Sequence, residues 1–190
     1  MASTPSSLYF AYGSNLWLHQ MSKRCPESPF IGTARLDGWK FIINKRGYAT
    51  IVQSKNDYVW ALVYDLTADD EATLDIHEGV PFAYVKKYLD VTLWDANVVD
   101  EAGVPIPPGN GNSVGRTVSS LGYVDEIRTE EGSPKEEYIY RVGMGIEDAV
   151  AKGVPVEYFE KYVRPFIPKK SREELEEIAR PRVLNKPDAS

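Results

Sequence analysis

The chain has 190 residues and a formal net charge of −6, with 43% hydrophobic and 26% charged residues. This composition is typical of a soluble globular protein, and the length suits one domain. The acidic balance argues against a nucleic-acid or anionic-membrane surface, because either needs a basic patch. No apolar run approaches the roughly 20 residues of a membrane span. We therefore expect neither a nucleic-acid partner nor membrane association.

The cysteine and histidine content limits the chemistry further. Cys25 is the single cysteine, which excludes an internal disulfide and fits a reducing, cytoplasmic location. The two histidines, His19 and His77, are far apart in the sequence, so we expect no metal site built from Cys and His. Cys25 is followed by Pro26 and has only His19 nearby, which disfavours a cysteine hydrolase.

The first third of the chain is rich in strand signals. Residues 1–7 are small and polar and predict a disordered lead-in. Residues 8–12 predict a buried strand, and residues 15–24 predict a helix with Asn15 as its N-cap. Further strands are predicted at residues 32–36, 39–44, 48–53 and 58–65.

A capping box opens the next helix. Thr67 and Asp70 predict its start and Gly79 its end, so that it covers about residues 68–77. The following segments are predicted as a strand at 84–94, a loop at 95–115, and strands at 116–124 and 136–142.

Helical signals dominate the remainder. One helix ends at Gly153, another begins at Pro155, and a third follows a capping box at Ser171. Predicted strands predominate early in the chain and predicted helices late, and this order predicts an α+β fold. Many short strands of similar spacing favour a closed or nearly closed sheet. We expect a single catalytic domain over residues 8–168, followed by a C-terminal helix and tail over 169–190.

A glycine, a hydroxyl and an amide follow the first strand. Gly13 permits close backbone approach, and the N–H groups of Ser14 and Asn15 precede a helix, where they lack helical partners. Such a turn could bind a small carboxylate or phosphate. The alternative is a strand-turn-helix corner without a ligand.

Glu78 follows the second predicted helix in apolar company, next to Ile76, Val80 and Phe82. Burial would raise the pKa of its carboxyl and make it a usable general base. The alternative is a solvated and inert side chain.

Several segments together carry a family resemblance. They are YFAYGSNL (9–16), GYATIVQS (47–54), VWALVYDL (59–66), LDIHEGV (74–80), EYIYRVGMG (137–145) and GVPVEYFEKY (153–162). From about residue 8 to 168 the chain resembles the γ-glutamylcyclotransferases. The YGSNL form argues against the glutathione-specific branch, which carries a different version of this motif.

The resemblance implies a compact mixed β-barrel with peripheral helices. It also implies a reaction in which the α-amine of a γ-glutamyl substrate attacks its own γ-carbonyl and releases 5-oxoproline, without metal or organic cofactor. Glu78 matches the catalytic glutamate. The residues that match substrate-binding positions are Tyr9, Phe10, Ala11, Tyr12, Gly13, Ser14, Asn15, Tyr84, Tyr123 and Tyr138.

Two departures from the family concern the mouth of the pocket. The segment VPFAY after Glu78 is about one residue shorter than in the family, and the loop at 95–115 is longer. A γ-glutamylamine cyclotransferase, or an enzyme that trims a larger conjugate, therefore stays an alternative, as does a non-catalytic γ-glutamyl-binding module. The sequence does not determine the leaving group, the oxyanion donor or the oligomeric state. A homodimer is one candidate for the last.

Overall fold

A closed barrel of five strands forms the centre of the computed structural model, which describes residues 6–96 and 114–179. The strands are β1 (Ser7–Ala11), β2 (Phe30–Ile43), β3 (Ala49–Leu66), β4 (Val85–Asp95) and β5 (Arg116–Val124). Their order around the barrel is β1-β3-β2-β4-β5. Neighbours are antiparallel except β1 and β5, whose parallel contact at Tyr9 and Leu121 closes the barrel. The predicted α+β class and mixed barrel are confirmed.

Strands β2 and β3 are long and bent, whereas the sequence predicts four short strands in their place. The register between them is broken between Asp37 and Trp39, where Gly38 has φ +80°. Glycine adopts this conformation without the cost that a side chain imposes. Each long strand therefore continues through an irregularity that, in the sequence, is indistinguishable from a turn between two strands.

Within the residues that the structure describes, five helices lie around the barrel. They are α1 (Leu18–Arg24), α2 (Ala68–His77), α3 (Glu136–Ala151), α4 (Val156–Tyr158) and α5 (Arg172–Ala179). A 3-10 turn at Ser14–Leu16 precedes α1, and a π-helical turn at Phe159–Val163 continues α4. Side chains of the barrel and of the helices share one apolar core, which includes the fully buried Phe10, Phe41 and Phe159.

Both ends of α2 are formed as predicted. Thr67 is the N-cap and its hydroxyl accepts the backbone N–H of Asp70 at 3.3 Å. At the other end Gly79 has φ +63°, and its N–H and that of Val80 bond back to carbonyls of the last turn. This Schellman-type end places Glu78 at the C-cap, at the point where the chain leaves the helix.

The predicted strand at 136–142 is wrong, because these residues form the first half of α3. The buried side chains Tyr138, Val142, Ile146 and Ala149 recur every three or four residues, which is the helical period. Aromatic and β-branched residues in EYIYRV favour a strand locally. The helical period becomes visible only when the pattern is followed past the two glycines of VGMG.

The C-terminal capping box is confirmed. The N–H of Ser171 donates to Glu174 at 2.7 Å, and the N–H of Glu174 donates to the Ser171 hydroxyl at 3.2 Å.

The predicted lead-in and tail fall partly on residues 1–5 and 180–190, and most of the predicted loop falls on 97–113, all outside the described residues. The division into lead-in, domain and tail stays a prediction. Within the described ranges, no helix is long and apolar enough to cross a membrane.

Candidate active site

A small cavity of about 30 Å³ lies where the end of β1, the start of β3, the C-cap of α2, strand β5 and helix α3 meet. Its lining residues are Tyr9, Tyr12, Gly13, Ser14, Asn15, Ala49, Glu78, Tyr84, Tyr123 and Tyr138. The structure thus brings together nearly all the residues that the sequence singles out. Phe10 and Ala11 are fully buried and do not line this cavity.

Strand geometry explains why Tyr9 lines the cavity and Phe10 does not. Successive side chains of a strand point to opposite faces, so Phe10 faces away from Tyr9. The strand ends at Ala11, and the chain then turns at Gly13. Tyr12, which lies between the strand and this turn, also lines the cavity.

The Glu78 carboxyl is largely buried and has polar neighbours. Its side chain is 16% exposed, and its Oε1 accepts a hydrogen bond from Asn15 Nδ2 at 3.1 Å. Arg24 Nη1 lies 3.9 Å from the same oxygen. Burial raises the pKa of Glu78 above its ordinary value, while the cations of Arg24 and Arg141 and the Asn15 amide oppose this. The carboxylate is therefore a stronger base than an exposed glutamate.

The Asn15 side chain connects this carboxylate to the cavity wall. Its Nδ2 also donates to the Tyr9 hydroxyl at 2.8 Å, and its Oδ1 accepts from Gln20 Nε2 at 2.7 Å. The predicted N-cap role of Asn15 is wrong, because Trp17 precedes α1 and the helix has no side-chain cap. Interior partners use both ends of the amide, so it is not available for capping.

Three tyrosine hydroxyls in the wall already donate to protein acceptors. Tyr12 donates to the carbonyl of Tyr123 at 2.5 Å. Tyr84 donates to the carbonyl of Ala49 at 2.8 Å, and Tyr123 donates to Asp75 at 2.7 Å. These bonds fix the shape of the cavity and leave these three protons unavailable to a ligand.

The hydroxyl of Tyr138 accepts a hydrogen bond from the protein, whereas those three donate one. This hydroxyl accepts the N–H of Ala49 at 3.3 Å and lies so close to Gly13 that a Cβ there would come within 2.8 Å of it. Burial raises the pKa of Tyr138 to about 12, so the phenol keeps its proton at neutral pH. Among the described residues, no protein group accepts that proton. Tyr138 can therefore donate a hydrogen bond into the cavity.

The sequence does not single out several of the residues around the cavity. Ala49 lies inside the segment GYATIVQS, so the family resemblance could have indicated it. Gln20, Arg24, Arg46 and Arg141 look like ordinary surface residues in the sequence. No local pattern distinguishes them, because only the folded chain brings them toward Glu78.

Cys25 is 2% exposed, and burial raises the pKa of its thiol to about 12. A thiol in this state is a poor nucleophile. In the part of the chain that the structure describes, no group of three or more His, Cys, Asp or Glu side chains is arranged to hold a metal ion.

Comparison with known proteins adds independent information. A family model described as "Gamma-glutamyl cyclotransferase, AIG2-like" matches residues 9–114. The chain is 29% identical to a human gamma-glutamylcyclotransferase over 166 residues, which are 82% of this chain and 77% of that protein. A bovine gamma-glutamylcyclotransferase is 28% identical over the same shares of the two chains.

The fold agrees with these relatives. A solved structure of a gamma-glutamyl cyclotransferase superimposes with a TM-score of 0.67 at 28% identity, covering 93% of this chain and 99% of that one. The family model spans more than half of the chain and includes both the Tyr9–Asn15 segment and Glu78. The chain therefore belongs to the gamma-glutamyl cyclotransferase, AIG2-like family.

Proposed function

We propose that this chain is a γ-glutamylcyclotransferase that converts γ-glutamyl amino acids or peptides to 5-oxoproline and a free amine. One observation carries the proposal: a sheltered carboxyl at Glu78 faces a cavity whose other wall is the Tyr9–Asn15 segment. The names of the human and bovine relatives support the same activity.

In the first step, Glu78 takes a proton from the α-ammonium group of the substrate. An α-amino group titrates near 8 and an ordinary glutamate near 4.3, so an unperturbed carboxylate faces an uphill transfer of roughly 5 kcal/mol. Burial raises the pKa of Glu78 and so reduces this gap. The free amine then attacks the γ-carbonyl carbon, and a carbon–nitrogen bond closes the five-membered ring.

Ring closure requires the glutamyl chain to be curled, with nitrogen and carbonyl carbon at about 3–3.5 Å. We infer that the backbone N–H groups of the Gly13–Asn15 turn hold the α-carboxylate. The absence of a side chain at Gly13 keeps this wall open, since a Cβ there would lie 2.8 Å from the Tyr138 hydroxyl and 3.3 Å from Ala49 Cβ.

The γ-carbonyl oxygen becomes negative on attack and needs a donor. Tyr138 suits this role, because its proton has no acceptor among the described residues and its oxygen already accepts a backbone N–H from Ala49. Accepting one hydrogen bond makes a hydroxyl a better donor of another.

In the last step the bond between the γ-carbon and the leaving nitrogen breaks. The protonated Glu78 gives its proton to that nitrogen. The restored carboxylate then takes the second proton from the ring nitrogen and passes it to the freed amine, so that 5-oxoproline, an ammonium product and the Glu78 carboxylate remain. The reaction as proposed uses no metal and no organic cofactor. The cytoplasmic location and the homodimer stay predictions of the sequence.

The test is formation of 5-oxoproline from γ-glutamyl-alanine, followed by mass spectrometry. Glu78→Gln is expected to lower kcat by about a hundredfold or more, the scale of a general base, while 5-oxoproline still binds in calorimetry. Glu157→Gln, at an exposed position of α4, is the matched control and should behave as wild type. Turnover by Glu78→Gln at the wild-type rate would remove this carboxyl from the mechanism.

A further inference from the structure

Three cations surround two tyrosines beside the cavity, although the chain as a whole has a net charge of −6. Arg46 and Lys135 approach the ring of Tyr48, at 5.5 and 5.0 Å from its centroid. Arg141 lies 5.2 Å from the ring centroid of Tyr138, which lines the cavity and packs edge-on against Tyr48. Three cations therefore lie close to the side of the cavity that Tyr138 forms.

The guanidinium of Arg141 already forms an ion pair with a carboxylate of the same helix. It forms two hydrogen bonds to Glu137, at 2.9 and 3.2 Å. This paired geometry on one helix uses the fork that would otherwise bind a ligand. Arg141 therefore contributes to the wall rather than to an open binding site.

Arg46 is held only loosely by the described residues. One nitrogen lies 3.4 Å from the carbonyl of Ala83 and 3.6 Å from Asp125. Asp125 has closer partners in Arg128 at 2.9 Å and Asn44 at 3.0 Å. A guanidinium has five N–H donors, so most of those on Arg46 are available.

The guanidinium of Arg46 also lies beside the cavity. It lies 5.6 Å from the ring centroid of Tyr84, which lines the cavity. The Arg46 side chain is 29% exposed, so a ligand that protrudes from the cavity can reach it. The positive charge of Arg46 also lowers the pKa of the Glu78 carboxyl.

We propose that Arg46 binds a carboxylate on the leaving group, so that γ-glutamyl amino acids are preferred over γ-glutamyl amines. This inference rests on the proposed function and specifies its substrate class. In a γ-glutamyl amino acid the leaving nitrogen carries a carboxylate one carbon away, whereas an amine leaving group has none. The planar fork of arginine matches a carboxylate with two parallel hydrogen bonds.

The experiment compares γ-glutamyl-alanine with γ-glutamyl-ethylamide, which differ only in that carboxylate. The readout is the ratio of their kcat/KM values. The wild type should favour the alanine substrate, and Arg46→Gln should reduce the ratio about tenfold or more, the scale of a charged hydrogen bond. Any effect of the lost cation on Glu78 acts on both substrates and cancels in the ratio.

Lys45→Gln is the matched control, because it removes the neighbouring cation, which is 64% exposed and pairs with Glu130 rather than with Asp125. It should leave the ratio unchanged. Arg46→Lys keeps the charge without the fork and should keep part of the preference; it also serves if Arg46→Gln folds poorly.

A ratio that both Arg46 variants leave at the wild-type value would overturn the inference, and so would an equal reduction by Lys45→Gln. Wild-type protein that forms 5-oxoproline from neither substrate would instead overturn the proposed function, and the inference with it.

Discussion

Two glycines inside α3 offer a sharp test of how the helix supports the cavity. A Cβ on Gly145 would lie 2.8 Å from Leu16 Cβ and 2.9 Å from the backbone nitrogen of Trp17. A Cβ on Gly143 would lie 3.1 Å from two terminal carbons of Leu175. The first contact is with the chain that immediately follows Asn15, and the second is with the end of a flexible side chain.

The two substitutions to alanine should therefore differ in sign. Alanine in place of glycine in a helix interior stabilises by about 1 kcal/mol. At Gly143 a small movement of Leu175 relieves the contact, so Gly143→Ala should be neutral or stabilising. At Gly145 the backbone of the turn must move, and overpacking of this kind costs about 1–3 kcal/mol. Gly145→Ala should thus be less stable than Gly143→Ala by about 1–3 kcal/mol.

Urea unfolding at one pH measures the stability difference, and the rate of 5-oxoproline formation measures the effect on the cavity. Gly145→Ala should also lose activity, because the displaced Leu16 directly follows Asn15, which holds Glu78. Gly143→Ala should keep the wild-type rate. Equal stabilities for the two variants, or a fully active Gly145→Ala, would refute this account of how α3 supports the turn.

Two further predictions follow from the raised pKa of Glu78. The folded state holds this proton more tightly than the unfolded chain does, so the resulting stability is present below the unfolded pKa and is lost as pH rises through the folded pKa. Glu78→Gln should therefore have a higher urea midpoint than wild type at pH 7, with the gain disappearing toward pH 4; an unchanged midpoint at pH 7 would contradict this. Asn15→Ala removes a hydrogen bond that lowers the Glu78 pKa, so the acidic limb of kcat/KM should move to higher pH, and a limb that stays in place would exclude this contact as a determinant.

Elements that depend on neighbouring residues could be predicted from the sequence. Helix α2 and strand β5 occupy the predicted residues, since caps, turn glycines and periodicity act within a few positions. The predicted strand at 136–142 is wrong because the local propensity and the helical period of this segment disagree. Burial of one face against the barrel favours the helix, and that contact is not visible in the local sequence.

By itself the sequence determined the motif Tyr9–Asn15, the candidate base Glu78 and the cyclotransferase resemblance, because these are short patterns of residue types. Only the tertiary structure decided what surrounds that base. Asn15 reaches Glu78 across 63 positions of the chain, and Arg46 lies over Tyr84, 38 positions away. Burial and charge around a titratable group are sums over such distant neighbours, so they exist only once the barrel has closed.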